Sequence, residues 1–273
     1  MLIVNDFRWR RIDDEYEPEL VIKNENENFV IPLIYNSLSF SIGDRYCIGY
    51  TKNNMHFDCP KNNKVENSFQ CEICKKLDDT LPCTSCVGIC RNFEKRQECM
   101  EKEFNIYIAL FGNLLKVGIS QEQRVKHRLI EQGADFGAII AKVKDGKLAR
   151  IYEQKIKDYL KIEDRVSGYK KFLKSYVNPV SSIKIIVEAI NKIKNSEFLK
   201  INLENFVIYD LRKYYNLDAM ENVKPDFIKI KKEEKIEGIV LAVKGNIIFI
   251  KKDSNYVCFN AHELKGREIF GIL

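Results

Sequence analysis

Sulfur is the strongest chemical signal in the chain. Eight of the nine cysteines lie between Cys47 and Cys99, and four of them follow the spacing Cys71-x2-Cys74-x8-Cys83-x2-Cys86. A C-x2-C pair presents two thiolates from one tight turn. Two such pairs complete the tetrahedral four-sulfur shell that zinc prefers. The segment from Lys75 to Pro82 is short, polar and closed by proline, so it can loop back without a core of its own. Four thiolates leave no open coordination position, so the expected Zn2+ is structural. The same thiolates suit an iron–sulfur cluster, which would make the chain a redox protein. Cys90 follows Cys86 closely enough to replace one ligand. Cys47, Cys59, Cys90 and Cys99 can form an additional site or serve as small buried hydrophobes. His56, three residues before Cys59, is a reserve ligand, and Cys258, inside an apolar alternation, is expected in the core.

A second set of residues suits phosphate chemistry: Tyr107, Lys116, Arg128 and Glu153. Phosphodiester hydrolysis needs a base for the water and a guanidinium to steady the phosphate. It also needs a carboxylate holding a divalent ion, Mg2+ or Mn2+, that stabilises the leaving oxygen. Each residue also has an ordinary role. Tyr107 can be a core tyrosine, Lys116 can mark an exposed strand edge, and Arg128 with Glu153 can form an ion pair between helices. Gly118 lies where backbone can approach a ligand closely.

The charge balance adds a third signal. The chain carries 45 Lys and Arg against 39 Asp and Glu, a net of +6. From Lys142 to Lys200 there are 15 basic and 7 acidic residues, a net of +8, so this stretch exceeds the charge of the whole. Lys170, Lys171 and Lys174 interleave with Tyr169, Phe172 and Tyr176. Cationic faces attract phosphate backbones through counterion release, and aromatic rings stack on unpaired bases. The alternative is a solvated lysine-rich helix with its aromatics in the core. Arg124 can join the same nucleic-acid-binding surface.

These residues must be positioned by identifiable elements. Residues 1–50 read as strands, with a polar turn over 23–28 between two apolar runs and Leu38, Phe40 and Ile42 alternating with serine. Residues 106–111 and 114–119 read as a hairpin around Gly112-Asn113. A helix follows over 121–132, with Ser120 able to cap it, then an apolar strand over 136–143. A helix over 148–160 is expected to bury Leu148, Tyr152, Ile156 and Tyr159. Another over 181–195 has Ser181 or Ser182 as cap. Four short strands between 227 and 259 suggest a small barrel. The expected fold class is therefore α+β. Its parts are a β-rich segment at 1–46, a cysteine-rich zinc-binding segment at 47–103, an α/β core with basic helices at 104–200 and a β-barrel-like domain at 201–273.

The core carries a family resemblance. Asn105-Ile106-Tyr107, eight further residues, Lys116-Val117-Gly118, an arginine on the next helix and a glutamate on the one after resemble the GIY-YIG nuclease core over about 104–165. That resemblance implies a small mixed sheet flanked by helices. It implies that Tyr107 acts on the nucleophile, Arg128 steadies the phosphate and Glu153 holds the metal. The family's first glycine is Asn105 here, the tyrosine of its second motif is Lys116, and the hairpin is short. Arg124 rivals Arg128 for the arginine role. Lysine can act as a base if its pKa is lowered, and otherwise binds phosphate as a fixed charge. The chain also resembles, over most of its length, an uncharacterised prokaryotic domain-of-unknown-function family in which cysteine motifs precede a similar core. Gly88-Ile89-Cys90-Arg91 with Cys99, the strand from Lys116 to Ser120 and the stretch from Arg128 to Asp135 carry that likeness.

No apolar run reaches the roughly 18 residues of a membrane helix, and no basic region precedes an apolar core at the N-terminus. The expectation is a cytoplasmic protein without membrane association, and no partner protein is inferable. Nucleic-acid binding, to RNA or DNA, ranks first. An active metal-dependent phosphodiesterase ranks second and an iron–sulfur redox protein third.

Overall fold

A computed structural model of the chain describes residues 1–24, 27–84, 86–162, 166–174, 179–196 and 206–271. Tyr176 and part of the basic stretch lie outside the described residues. In chain order the strands are β1 (Leu2–Ile12), β2 (Glu15–Lys23), β3 (Asn28–Pro32), β4 (Ser37–Arg45), β5 (Tyr50–Lys52), β6 (Met55–Phe57), β7 (Glu103–Phe111), β8 (Leu114–Gln121), β9 (Phe136–Lys144), β10 (Ile208–Asp210), β11 (Asp226–Phe227), β12 (Lys235–Lys244), β13 (Ile247–Lys252), β14 (Asn255–Asn260) and β15 (Arg267–Phe270). The helices are α1 (Glu72–Leu77), α2 (Leu81–Thr84), α3 (Arg96–Glu101), α4 (Val125–Gln132), α5 (Gly146–Leu160), α6 (Gly168–Leu173) and α7 (Pro179–Lys194). The fold is α+β. It divides into two compact units, Met1–Leu81 with Tyr214–Leu273, and Pro82–Lys213.

The first unit is built on a nine-stranded sheet of order β11-β14-β13-β12-β4-β15-β1-β2-β3. The alternation read in β4 puts Leu38, Phe40 and Ile42 in the core. The C-terminal strands do not close into a barrel. Instead β12 pairs with β4 from Lys235↔Ser41 to Ile239↔Ser37, and β15 lies between β4 and β1. The free edge of the β12–β14 meander is satisfied by a strand nearly two hundred residues earlier, so the two chain ends share one sheet. Trp9 is buried in this unit and donates its indole N–H to the Gly245 carbonyl at 2.8 Å. Cys258 is buried on β14, where burial pushes its thiol up to about 12.

The second unit holds a four-stranded antiparallel sheet of order β10-β9-β7-β8. The predicted hairpin forms as β7 and β8 around Gly112-Asn113, with Gly112 at φ 60°. Asp135 fixes the turn, accepting from the Gly112 N–H at 2.6 Å. Ile106, Ile108 and Leu110 of β7 pack with Ala149 and Ile156 of α5 and with Ile186, Ala189, Ile190 and Ile193 of α7.

Three local expectations change. The segment at 122–124 is a 3-10 turn, so α4 starts only at Val125 and Ser120 stays in β8 instead of capping a helix. On α5 the buried residues are Gly146, Ala149, Glu153 and Ile156, while Leu148 and Tyr159 are exposed. The helix is rotated so that its small residues let it lie close to the sheet. Helix α7 starts at Pro179, so Ser182 lies inside it and donates to the Gly112 carbonyl at 2.9 Å. Among the described residues no helix is long and apolar enough to cross a membrane.

Candidate functional site

Four cysteines converge in the first unit, but not the four that the paired C-x2-C spacing suggested. Cys71 and Cys74 meet Cys47 and Cys59, with all four sulfurs within 4.8 Å of one another. The chain path explains the grouping. The β5–β6 hairpin, closed by stacking of Tyr50 on Phe57 at 5.3 Å, turns the chain back between Cys47 and Cys59. The Ile48 N–H donates to the Phe69 carbonyl at 2.9 Å, which brings the stretch before Cys71 alongside Cys47. Buried Asp78, one residue past α1, accepts from the Thr51 N–H at 3.1 Å and from Gln70 Nε2 at 2.8 Å.

The donor set fits a single tetrahedral ion. A metal–sulfur bond of about 2.3 Å places tetrahedral sulfurs about 3.8 Å apart, and Cys59 Sγ and Cys71 Sγ are 3.9 Å apart. The Cys71 backbone N–H donates to Cys47 Sγ at 3.2 Å, an outer hydrogen bond of the kind that orients metal thiolates. Burial pushes the Cys71 thiol up, but the Cys74 N–H, Asn63, Cys74 and Cys47 outweigh it and hold that thiol at about 6. Burial and the neighbouring thiols raise Cys74 instead. One sulfur of the group, that of Cys71, therefore ionises readily. Cys47 and Cys74 are buried, Cys59 and Cys71 half-buried. His56 is exposed on β6 and is not in the group. Cys83 and Cys86 do not join Cys71 and Cys74; they lie in the second unit with Cys90 and Cys99.

The second unit brings the phosphate-suited residues together. Tyr107 is 2 % exposed in the middle of β7, paired across the hairpin with Gly118. A β carbon on Gly118 would sit 2.5 Å from the Tyr107 hydroxyl oxygen, so the phenol occupies the space that glycine leaves. Gln132 at the end of α4 donates to that oxygen at 2.7 Å and accepts from Lys116 Nζ at 2.8 Å. Lys116, Gln132 and Tyr107 form one relay from β8 through α4 to β7. Burial pushes the Tyr107 phenol up. The Gln132 hydrogen bond and the Arg128 guanidinium oppose that shift, and the Glu153 carboxylate adds to it. The phenol is thus protonated at neutral pH and faces both an arginine and a carboxylate.

Arg128 and Glu153 do not pair with each other. Arg128 is half exposed and meets Glu131 at 3.3 Å, and Glu131 also meets Arg124 at 3.5 Å. Glu153 is 8 % exposed and is held by Arg150 at 2.7 Å. Asn105, where the nuclease motif has glycine, is buried on β7. Helix α6 carries Tyr169, Lys170 and Lys171, with Lys174 at its C-cap. Tyr169 is exposed, and Lys171 Nζ lies 5.3 Å over the Phe111 ring. Residues missed in the sequence are Gln132, which completes the relay, and Arg150, which holds Glu153. Glu153 itself occupies an apolar register with Ala149 and Ile156, a charge where periodicity calls for a hydrophobe, and that was a readable signal.

The family model described as a protein of unknown function (DUF2797) matches residues 36–269. Neither the curated proteins nor the solved structures contain a match to the chain.

Proposed function

The chain belongs to the DUF2797 family of proteins of unknown function, and we propose that it is a nucleic-acid-binding protein with a GIY-YIG-like core and a structural Zn2+. The observation that carries this reading is the convergence of Tyr107, Lys116, Gln132, Arg128 and Glu153 on the hairpin–helix–strand–helix order of β7, β8, α4, β9 and α5. A phosphodiester needs fixed cations and neutral donors at one place. Arg128 and Lys116 supply charge, and the protonated phenol of Tyr107 supplies an O–H. Tyr169, Lys170, Lys171 and Lys174 of α6 and Arg124 before α4 offer further cationic and aromatic side chains to such a ligand.

Zinc is the ion assigned to Cys47, Cys59, Cys71 and Cys74. The four residues would hold it through sulfur alone, and their sulfurs, all within 4.8 Å of one another, stand one ion apart rather than one cluster apart. When bound, it ties the β5–β6 hairpin to α1. Colourless purified protein with one zinc at this centre is expected, and visible absorbance from iron would reject it.

Binding ranks above cleavage because Lys116 stands where the nuclease motif has tyrosine and the Tyr107 phenol is hard to ionise. The second reading, a phosphodiesterase using Mg2+ or Mn2+, is favoured by one observation. The Glu153 carboxylate is buried yet close enough to act on the Tyr107 phenol. In that reading Glu153 holds the divalent ion, Arg128 steadies the phosphate and Tyr107 positions the water. Fluorescence anisotropy with single- and double-stranded DNA and RNA tests the first reading. Salt-dependent binding to at least one is expected, and no binding to any at about 50 mM salt refutes it.

A further inference from the structure

We propose that Cys83, Cys86, Cys90 and Cys99 bind a second thiophilic divalent cation, which holds the segment that braces the start of α5. The spacing is C-x2-C-x3-C-x8-C, and none of these cysteines belongs to the Cys47 centre.

The described residues of the segment build no apolar core of their own. Among the described residues from 82 to 102 no apolar side chain is buried. Val87, Ile89 and Phe93 are 54 %, 68 % and 81 % exposed, and the only helices are the single turns and short pieces of α2 and α3. A stretch without a core needs a metal or a disulfide to order it. Yet it docks with defined geometry. Arg96 on α3 grips Asp145, the N-cap of α5, through two 2.6 Å hydrogen bonds. Cys99 Sγ lies so close to Gly146, the first residue of α5, that a β carbon there would stand 2.7 Å from the sulfur.

The four sulfurs gather in one neighbourhood with the right counter-charge. Cys83 lies within electrostatic reach of Cys99, Cys86, Cys90 and Lys95, and the Cys86 N–H donates to the Cys83 carbonyl at 3.3 Å. Cys99 also lies close enough to Arg96 to act on its guanidinium. A divalent ion on four thiolates carries a net charge of about −2, which the neighbouring Lys95 would offset in part. Binding releases the thiol protons to solvent, with no change of oxidation state. Cys86 Sγ and Cys90 Sγ now hydrogen-bond the Ile89 and Asn92 carbonyls at 3.4 and 3.3 Å. As ligands both sulfurs would be thiolates and would give up those donated bonds. Unlike the Cys47 group, this set is not already within 4.8 Å, so an ion would have to draw the four sulfurs together. The bound segment then fixes Asp145 and Gly146, and through them the helix that carries Glu153.

The test counts thiolate-bound ions in the full chain. Native mass spectrometry of reduced protein loaded with Zn2+ should show two ions per chain, and Cys90→Ala with Cys99→Ala should show one. A single ion in the native chain, or two retained in the variant, overturns the proposal. If the variant does not fold, Co2+ titration of the native chain decides. Sulfur-to-cobalt charge-transfer absorbance should saturate at two equivalents, and saturation at one rejects the site.

Discussion

Gly118→Ala probes the contact that assembles the phosphate-suited residues. The added methyl would stand 2.5 Å from the Tyr107 hydroxyl oxygen, 2.6 Å from Cζ and 3.0 Å from Cε2. Real β carbons keep at least 3.0 Å from such atoms, so the ring must retreat. It has nowhere simple to go, because Tyr107 is 2 % exposed and its oxygen is fixed by Gln132 at 2.7 Å. Overpacking costs about 1–3 kcal/mol, and a strained or lost hydrogen bond adds about 1 kcal/mol. Replacing a strand glycine by alanine returns about 0.5–1 kcal/mol. The net loss is about 1–3 kcal/mol, which speeds local opening by roughly 5- to 150-fold. Hydrogen exchange of peptides covering β7 and β8 reads this directly, independently of the first unit. Combining the change with Tyr107→Phe removes the nearest clashing atom, so the pair should cost about 1 kcal/mol less than the sum of the singles. Unchanged exchange in β7 and β8 for Gly118→Ala, or strict additivity of the pair, would refute the packing of phenol against glycine.

Two further outcomes follow from charge. Asp44 is held at about 2 by hydrogen bonds from Lys232 and Lys64. Its folded pKa is depressed, so its contribution is present above the unfolded value of about 3.9 and fades as pH falls through about 2. Carboxyl-carbon NMR should place Asp44 near 2 and show it rising toward 3.9 in a chain carrying Lys64→Ala and Lys232→Ala; a native value near 3.9 contradicts the pairing. Replacing Lys170, Lys171 and Lys174 by alanine should weaken nucleic-acid binding evenly across sequences and reduce the log–log salt slope by about 2–3. An unchanged slope would remove α6 from the binding surface.

Much of the second unit was legible because its signals are local. Gly112-Asn113 between two apolar runs specifies the hairpin, and Tyr107 and Gly118 face each other because of that register. The buried face of α5 was misread because Leu148 and Tyr159 look like core residues, while packing selected Ala149 and Glu153 for close approach. The C-terminal strands show the alternation of a barrel, but alternation does not say which strand completes an edge; β4 completes β12 across nearly two hundred residues. The cysteines failed for a related reason. A C-x2-C spacing states that two sulfurs share a turn, not which two turns share an ion. The β5–β6 hairpin, with little hydrophobic pattern, decided that Cys71 and Cys74 meet Cys47 and Cys59.

The central claim is that the residues around Tyr107 form a nucleic-acid site, and a paired binding and cleavage panel with Glu153→Gln tests it most directly. The panel uses single- and double-stranded DNA and RNA with Mg2+ or Mn2+. The account predicts salt-sensitive binding by the native chain that Glu153→Gln largely retains. Any cleavage should disappear in that variant, which would establish the phosphodiesterase reading. Absence of binding to all four nucleic acids by a folded, metal-loaded native chain would contradict the account.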